Sequence, residues 1–343
     1  MKISDIAKMA NVSKATVSLA LNGKPGVSPE TREKILKIVY EHGYVKRPLT
    51  LANRAHASSR VLRLVALTNS GIISDEYHKQ PFFAELIRHI EDHCSSRGYS
   101  LLFSSLQSDN LISEIEKVEN GHPANGIILI GTNLSKEQIS SIAKQIDHLV
   151  VLDTFFESLP VDFVVMNNFM GGYQAAKYLI EKGHRKIGYV RSKNRMYNFD
   201  SRMRGFYAAL EEYSITIDKN DIFTIAPTVV TSQDIFVEQF KRRKDDHPTA
   251  LFCECDYMAI SVIKSMMELG LRVPDDVSVI GFDNISEAEI ITPELTTIHV
   301  DKAKIAAIAV ERLIERLENP GHNIHIKTIV DTTLVERKST RAL

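Results

Sequence analysis

The chain has 343 residues, 44% of them apolar and 25% charged, with a net charge of −1, ordinary values for a soluble globular protein of two or three domains. No apolar run approaches the length of a membrane span. Asp5 and Lys8 also interrupt the stretch where a signal peptide needs its apolar core, so a cytoplasmic chain is expected. The near-neutral total hides an asymmetry: residues 1–60 carry eleven Lys and Arg against four Asp and Glu (+7), and the remainder 31 against 39 (−8). A basic front module on an acidic body is the pattern of an arm that meets phosphate; a merely solvated tail would be less patterned than this one.

Residues 3–45 predict three short helices. Ser4 caps the first, which ends near Ala10 and Asn11. Ser13 caps the second, which runs to Asn22 and Gly23. Ser28-Pro29-Glu30 opens the third with proline at the first helical position, and Gly43 ends it after His42. Helices of barely two turns are marginal alone, so the first two need each other and the third as a brace, which makes them a helix-turn-helix. Ile6, Ala7, Ala10, Val12, Val17, Ala20 and Leu21 turn inward, and the third helix offers Ile35, Ile38 and Val39 on one face. The second helix then presents its small, polar N-terminal end to the DNA major groove. Ser13 suits both a cap and a phosphate, and Thr16 and Ser18 are short donors. Lys14 matches guanine acceptors and Ala15 a thymine methyl. A partnerless helical bundle is the plainer alternative.

Residues 45–60, "VKRPLTLANRAHASSR" from Val45, are basic and have no clear core face, which suits a linker that turns helical on binding. From Val61 apolar runs alternate with amphipathic helices: "VLRLVALT", "YSLLFSS", "GIILIGT", "HLVVLDTF" and "VDFVVMN", then "KIGYVRS", "DIFTIA", "ALFCECD" and "VSVIGFDN". Two such series predict two doubly wound parallel sheets. A last helix, "DKAKIAAIAVERLIERLEN", and one strand, "HIKTIVDTTLVER", follow, and one of them crosses back to the first lobe. The expected architecture is an all-α headpiece (1–45), a linker (46–60) and a two-lobed α/β core. Residues 61–160 with about 291–320 form its first lobe, and 161–290 with about 321–343 its second. Ligands of such sheets sit beyond the carboxyl ends of the strands, so the cleft between the lobes is the default pocket.

Cys94, Cys253 and Cys255 lack metal spacing and read as core thiols, so neither a metal nor a cofactor is expected. The strand-to-helix turns lack G-x-G-x-x-G, a P-loop and a G-x-S-x-G elbow, which argues against an enzyme. Gly171-Gly172 fits close packing, and His184 a structural turn.

Residues 3–45, "ISDIAKMANVSKATVSLALNG" followed by "GVSPETREKILKIVYEHGYV", resemble the headpiece of the LacI/GalR transcriptional regulators. "PFFAELIRHIEDHCSSRGYSLL", "GIILIGT", "LDT", "YLIEKGHRKIGYV", "SRMRGFYAALEE", "DYMAISVIKSMMELGLRVPDDVSVIGFDN", "TPELTTIHVD" and "ERKSTR" resemble later segments of that family, in its order. The resemblance implies a homodimer on double-stranded operator DNA, a minor-groove hinge and a core like a periplasmic sugar-binding protein. The fold it implies is the type I periplasmic-binding-protein one, with no membrane partner. Ser4, Leu19, Asn22 and Tyr44 join the expected DNA contacts, although Leu19 stands where the family often has Arg or His, and it offers only apolar contact. Val45-Lys46-Arg47-Pro48 replaces the usual Pro-Asn step, so Leu51 (or Leu49) is either the hinge wedge or part of a plain flexible linker.

In the cleft the first lobe is expected to contribute Asn69, "QPFF" (Gln80 to Phe83, thus Phe82 and Phe83) and Asp153. The second contributes Asn168, Arg202, Cys255 or Asp256, and Asp283. The family pattern implies that Arg202 and Asp283 hold effector hydroxyls, and a guanidinium fork beside a carboxylate suits vicinal hydroxyls under an aromatic lid. Each has a plainer reading: Phe83 as core, Arg202 paired only with a neighbouring acid, Asp256 as a cap for the helix after it. The expectation is a repressor governed by a small sugar-like effector. A regulator governed by a protein partner is the alternative, and a solute-binding protein is the weaker one.

Overall fold

The computed structural model describes residues 3–21, 26–41, 60–68, 72–73, 80–107, 111–243, 246–321 and 324–343, in two compact units, Met1–Thr50 and Leu51–Leu343. The first unit holds α1 (Ile3–Ala10), α2 (Lys14–Leu21) and α3 (Pro29–Glu41). α1 begins at Ile3, so Ser4 falls within its first turn. Asn11 ends α1 with φ +57°, a left-handed conformation that Asn adopts more readily than most residues. The Val12 N–H then reaches the Ala7 carbonyl at 3.0 Å and the Asn11 N–H the Lys8 carbonyl at 3.2 Å, the paired bonds of a Schellman ending. Ser13 Oγ accepts the Thr16 N–H at 3.0 Å and Ser28 Oγ the Thr31 N–H at 3.3 Å, so both expected caps are made. Ile6, Ala7, Ala10, Val17, Ala20 and Ile35 form the core, with Val12, Val27, Ile38 and Val39 packed on it.

In the second unit the first sheet is built from β1 (Val61–Thr68), β2 (Ser100–Gln107), β3 (Gly126–Ile130), β4 (Leu149–Leu152) and β5 (Asp162–Met166). Between them run α4 (Pro81–Ser96), α5 (Leu111–Gly121) and α6 (Lys136–Ala143). α7 (Asn168–Glu181) opens the second lobe. Its strands are β6 (Ile187–Ser192), β7 (Ile222–Ile225), β8 (Ala250–Cys253), β9 (Ser278–Asp283) and β10 (Thr296–Val300). α8 (Tyr197–Glu212), α9 (Asp234–Lys241), α10 (Asp256–Glu268) and the short α11 (Glu287–Ile290) connect them, and α12 (Lys302–Glu318), β11 (Lys327–Val330) and β12 (Thr332–Val335) finish the chain. Every residue of β3, β4, β5, β8 and β9 is buried, as strands covered on both faces must be.

The strand orders are β11-β5-β4-β3-β1-β2 and β12-β10-β9-β8-β6-β7. Both sheets are parallel except at one edge, where β12 runs antiparallel to β10. Three features differ from expectation. The apolar run over 325–337 is not one strand: it breaks at Asp331, and its halves join different sheets. The division of the core also shifts, because β5 and β11 belong to the first sheet and β10 to the second, while α12 packs on α4 and the first sheet. Finally, β10 and α11 add to the expected elements; Thr296, Thr297 and His299 interrupt the apolar period over β10.

The chain therefore passes between lobes three times, after Met166, Val300 and Val330. Two of these passages are bonded to each other, which is why the last strand breaks where it does. The Asn167 N–H donates to the Val330 carbonyl and its Nδ2 to Asp331 Oδ1, both at 2.7 Å. No helix among the described residues is long and apolar enough to cross a membrane.

Candidate functional site

The floor of the cleft depends on two helices that touch backbone to backbone. A Cβ at Gly172 of α7 would fall on the Arg202 carbonyl oxygen of α8, and one at Gly205 of α8 on the Phe169 carbonyl oxygen of α7. This approach sets Asn168, at the start of α7, beside Arg202. The Arg202 fork is buried and fully directed: Nε donates to Asn168 Oδ1 at 3.0 Å, Nη1 to the Glu254 carbonyl at 2.5 Å and Nη2 to Asp283 Oδ1 at 3.3 Å. Its guanidinium carbon lies 3.6 Å from the centre of the Phe282 ring. A flexible ammonium could not hold these directions together.

Asp283 ends β9 with φ +113° and Asp153 follows β4 with φ +60°, both in the left-handed region. Such backbones cost energy and persist where the surroundings hold them, often at binding sites. Both carboxyls are buried, and desolvation pushes each up to about 6, against the pull of Arg202 on both and of Lys302 on Asp283. Asp153 is bonded from both sides. Its Oδ2 accepts Thr132 Oγ1 at 2.5 Å, and its Oδ1 accepts Asn198 Nδ2 at 2.7 Å. Asn198 in turn accepts Asn168 Nδ2 at 2.9 Å. A continuous chain of hydrogen bonds thus runs from Thr132 in the first lobe to Asp283 in the second.

The rest of the wall is apolar and aromatic. Phe82 and Phe83 meet edge to face with ring centres 5.3 Å apart, and Met196, Phe199 and Tyr257 line the same cleft. Cys255 also lines it. Its Sγ–H points to the Pro227 carbonyl at 3.5 Å, and burial pushes the thiol well above its usual range, so it stays neutral.

The structure thus brings Phe82, Phe83 and Asp153 of the first lobe and Arg202, Cys255 and Asp283 of the second around one cleft, with Arg202 paired to an acid and still facing it. Asn168 is not in that lining; it braces Arg202 from behind. Asp256 neither caps α10 nor reaches the cleft, because its carboxylate takes Thr297 Oγ1 at 2.5 Å and the Ile285 N–H at 3.0 Å. Asn69 lies outside the described residues. Sequence reasoning missed Thr132, Asn198 and Tyr257. Asn198 carried a usable signal, four residues before Arg202 and so on the same helical face.

In the first unit Ser13 and Lys14 are exposed and Thr16 and Leu19 half-buried. Ser13 Oγ also meets Thr16 Oγ1 at 2.8 Å, so the cap joins the two short hydroxyls at the start of α2. Ser4, Ala15 and Ser18 fall within α1 and α2, but their side chains lie outside the described residues, as does that of Leu21. Asn22, Tyr44 and Leu51 lie outside them altogether, with the linker from 46 to 59. His184 is structural, bonded to Thr249 Oγ1 at 2.9 Å and to the Arg341 carbonyl at 3.1 Å. Among the described residues no group of three or more His, Cys, Asp or Glu is placed to hold a metal.

Residues 2–46 match the sequence profile of bacterial regulatory proteins, lacI family, and residues 176–340 that of a periplasmic binding protein-like domain. The chain is 30% identical to the ribose operon repressor of Haemophilus influenzae over 99% of both chains. It is 31% identical to the HTH-type transcriptional repressor PurR of Aliivibrio salmonicida, again over 99% of each. Among solved structures it is similar to a LacI family transcriptional regulator from Enterococcus faecium with bound ribose. That match has a TM-score of 0.68 and 26% identity, and covers 82% of this chain and 99% of that one.

Proposed function

Because the chain belongs to the lacI family of bacterial regulatory proteins, we propose that it represses transcription as a homodimer on operator DNA, and that a small neutral sugar in the interlobe cleft sets its affinity for that DNA. Lys14 and the short hydroxyls of α2 read the major groove. The operator places the site of action in the cytoplasm. One observation carries the choice of effector: the buried Arg202–Asp283 pair, 3.3 Å apart, lies in a cleft that also holds Phe82 and Phe83. A donor fork beside an acceptor carboxylate matches vicinal hydroxyls, each both donor and acceptor, while an aromatic ring covers the apolar face of a sugar.

Charge separates the candidates further. Arg202 faces two carboxyls, Asp283 and Asp153, so the wall has no surplus positive charge to hold a phosphate. A neutral sugar or nucleoside fits better than a sugar phosphate. One similar protein is named for repressing a ribose operon and another was solved with ribose bound, which makes D-ribose the first compound to try. No catalytic step is proposed, because the cleft carboxyls are engaged in holding the wall together. A thermal-shift panel of sugars, sugar phosphates and nucleosides tests the assignment, followed by gel mobility of DNA from upstream of the protein's own gene. A neutral sugar that raises the melting temperature and alters mobility supports it. Stabilisation by sugar phosphates alone would refute it.

A further inference from the structure

The N-terminus of α4 is capped by the opposite lobe. Gln80 at the N-cap position makes no side-chain cap bond, and Pro81 has no N–H, so Phe82 carries the first free donor of the helix. That N–H donates to the hydroxyl oxygen of Tyr257, on α10 across the cleft, at 3.1 Å. Tyr257 is only 8% exposed and lines the cleft, and no acceptor for its hydroxyl hydrogen is found among the described residues. Burial beside Asp283 raises its pKa, so the hydroxyl keeps that hydrogen. The group therefore has its oxygen committed to the first lobe and, on the lining of the cleft, a proton without an acceptor among the described residues.

We propose that Tyr257 is the positioning residue that couples cleft occupancy to lobe closure, its oxygen capping α4 at Phe82 while its hydroxyl donates to an acceptor oxygen of the bound sugar. The inference rests on the cleft being the effector site. A ligand acceptor polarises the hydroxyl and strengthens the cap, because successive hydrogen bonds reinforce each other. Opening the lobes strands both the Phe82 N–H and the ligand oxygen. α4 is also tied to the rest of the core, through Lys302 Nζ on Glu85 at 3.1 Å and through Glu311, which binds His93 at 2.8 Å and Arg97 at 3.2 Å. What Tyr257 does at the first turn is thus passed to α12.

The test uses the full-length protein with spin labels at Glu91→Cys and Lys264→Cys, one exposed site on each lobe; the three native thiols are buried. Lobe separation is read from the label distances. Hydrogen exchange is read on the peptide carrying the Phe82 amide, and both are measured with and without D-ribose. In the ligand-free protein Tyr257→Phe should speed exchange at Phe82 and shift the closed-to-open ratio toward open by about three- to ten-fold, the worth of one such bond. Adding Gln80→Asp supplies a cap from within the first lobe. It should restore protection at Phe82 and leave the lobes open. Unchanged exchange and distances in Tyr257→Phe would overturn the proposal, as would a Gln80→Asp rescue of closure, which would make Tyr257 a helix cap only. If Tyr257→Phe opens the lobes and D-ribose moves neither protein, the latch stands and ribose fails as the effector. If ribose closes both proteins alike, the latch fails and the sugar reading stands.

Discussion

Asn198 of the second lobe is bonded twice to Asp153 of the first: its Nδ2 donates to the carboxylate Oδ1 at 2.7 Å and to the backbone carbonyl at 3.1 Å. The same side chain accepts from Asn168, so it joins the Arg202 brace to the far wall of the cleft. Asn198→Ala leaves a buried Asp153 oxygen and the Asn168 amide short of partners. The expected cost is about 1–3 kcal/mol. Urea unfolding measures it, and a change within error of zero would show that water replaces the amide without loss.

Arg202→Lys keeps the charge and loses the fork. A single ammonium cannot serve Asn168, the Glu254 carbonyl and Asp283 at once, nor stack on Phe282 in the same way. Calorimetric titration with the sugar identified by thermal shift should show affinity reduced at least about ten-fold, equivalent to about 1.4 kcal/mol. DNA binding in the absence of sugar should persist, because the headpiece is untouched.

Gly205→Ala places a methyl group against the Phe169 carbonyl oxygen, where only a shift of α7 relative to α8 can make room. Overpacking of this kind costs about 1–3 kcal/mol. The same shift pulls Asn168 away from Arg202, so sugar affinity should fall along with the unfolding free energy. Loss of stability with unchanged sugar affinity would separate the helix contact from the site.

Burial holds the Asp153 and Asp283 carboxyls up at about 6, above the ordinary 3.8. The closed cleft therefore binds more protons than the open or unfolded one between those values. Its stability from these groups is full below about 4 and is lost as pH rises through about 6. The closed population of the ligand-free protein should grow between pH 7 and pH 5, read by label distances. In Asp153→Asn and Asp283→Asn combined, that pH dependence should flatten.

Much of this was legible in the residues, and where it failed the cause is physical. The caps at Ser13 and Ser28 act locally, so their chemistry shows in the sequence. The apolar runs of β3, β4, β8 and β9 show for a related reason, since burial on both faces leaves no alternation to obscure them. The break at Asp331 was not legible, because it depends on Asn167, more than 160 residues earlier in the chain. Thr132 and Tyr257 were missed for the same reason. Tyr257 acts across the cleft on Phe82, Thr132 acts on Asp153 after the next strand of its own lobe, and neither stands out from its local run. Arg202 and Asp283 were found through resemblance to a family, not through spacing, although the close glycines of α7 and α8 explain why that arginine can sit where it does.

The most direct measurement is fluorescence anisotropy of the full-length protein on a labelled duplex from upstream of its own gene, with and without D-ribose or the sugar found by thermal shift. Binding should weaken as salt rises, with the salt slope flatter by about 1 in Lys14→Ala. The sugar should change DNA affinity by about 5–150-fold, and Arg202→Lys should abolish that change. A duplex that stays unbound at low salt, or an affinity that no cleft ligand moves, would contradict the proposed function.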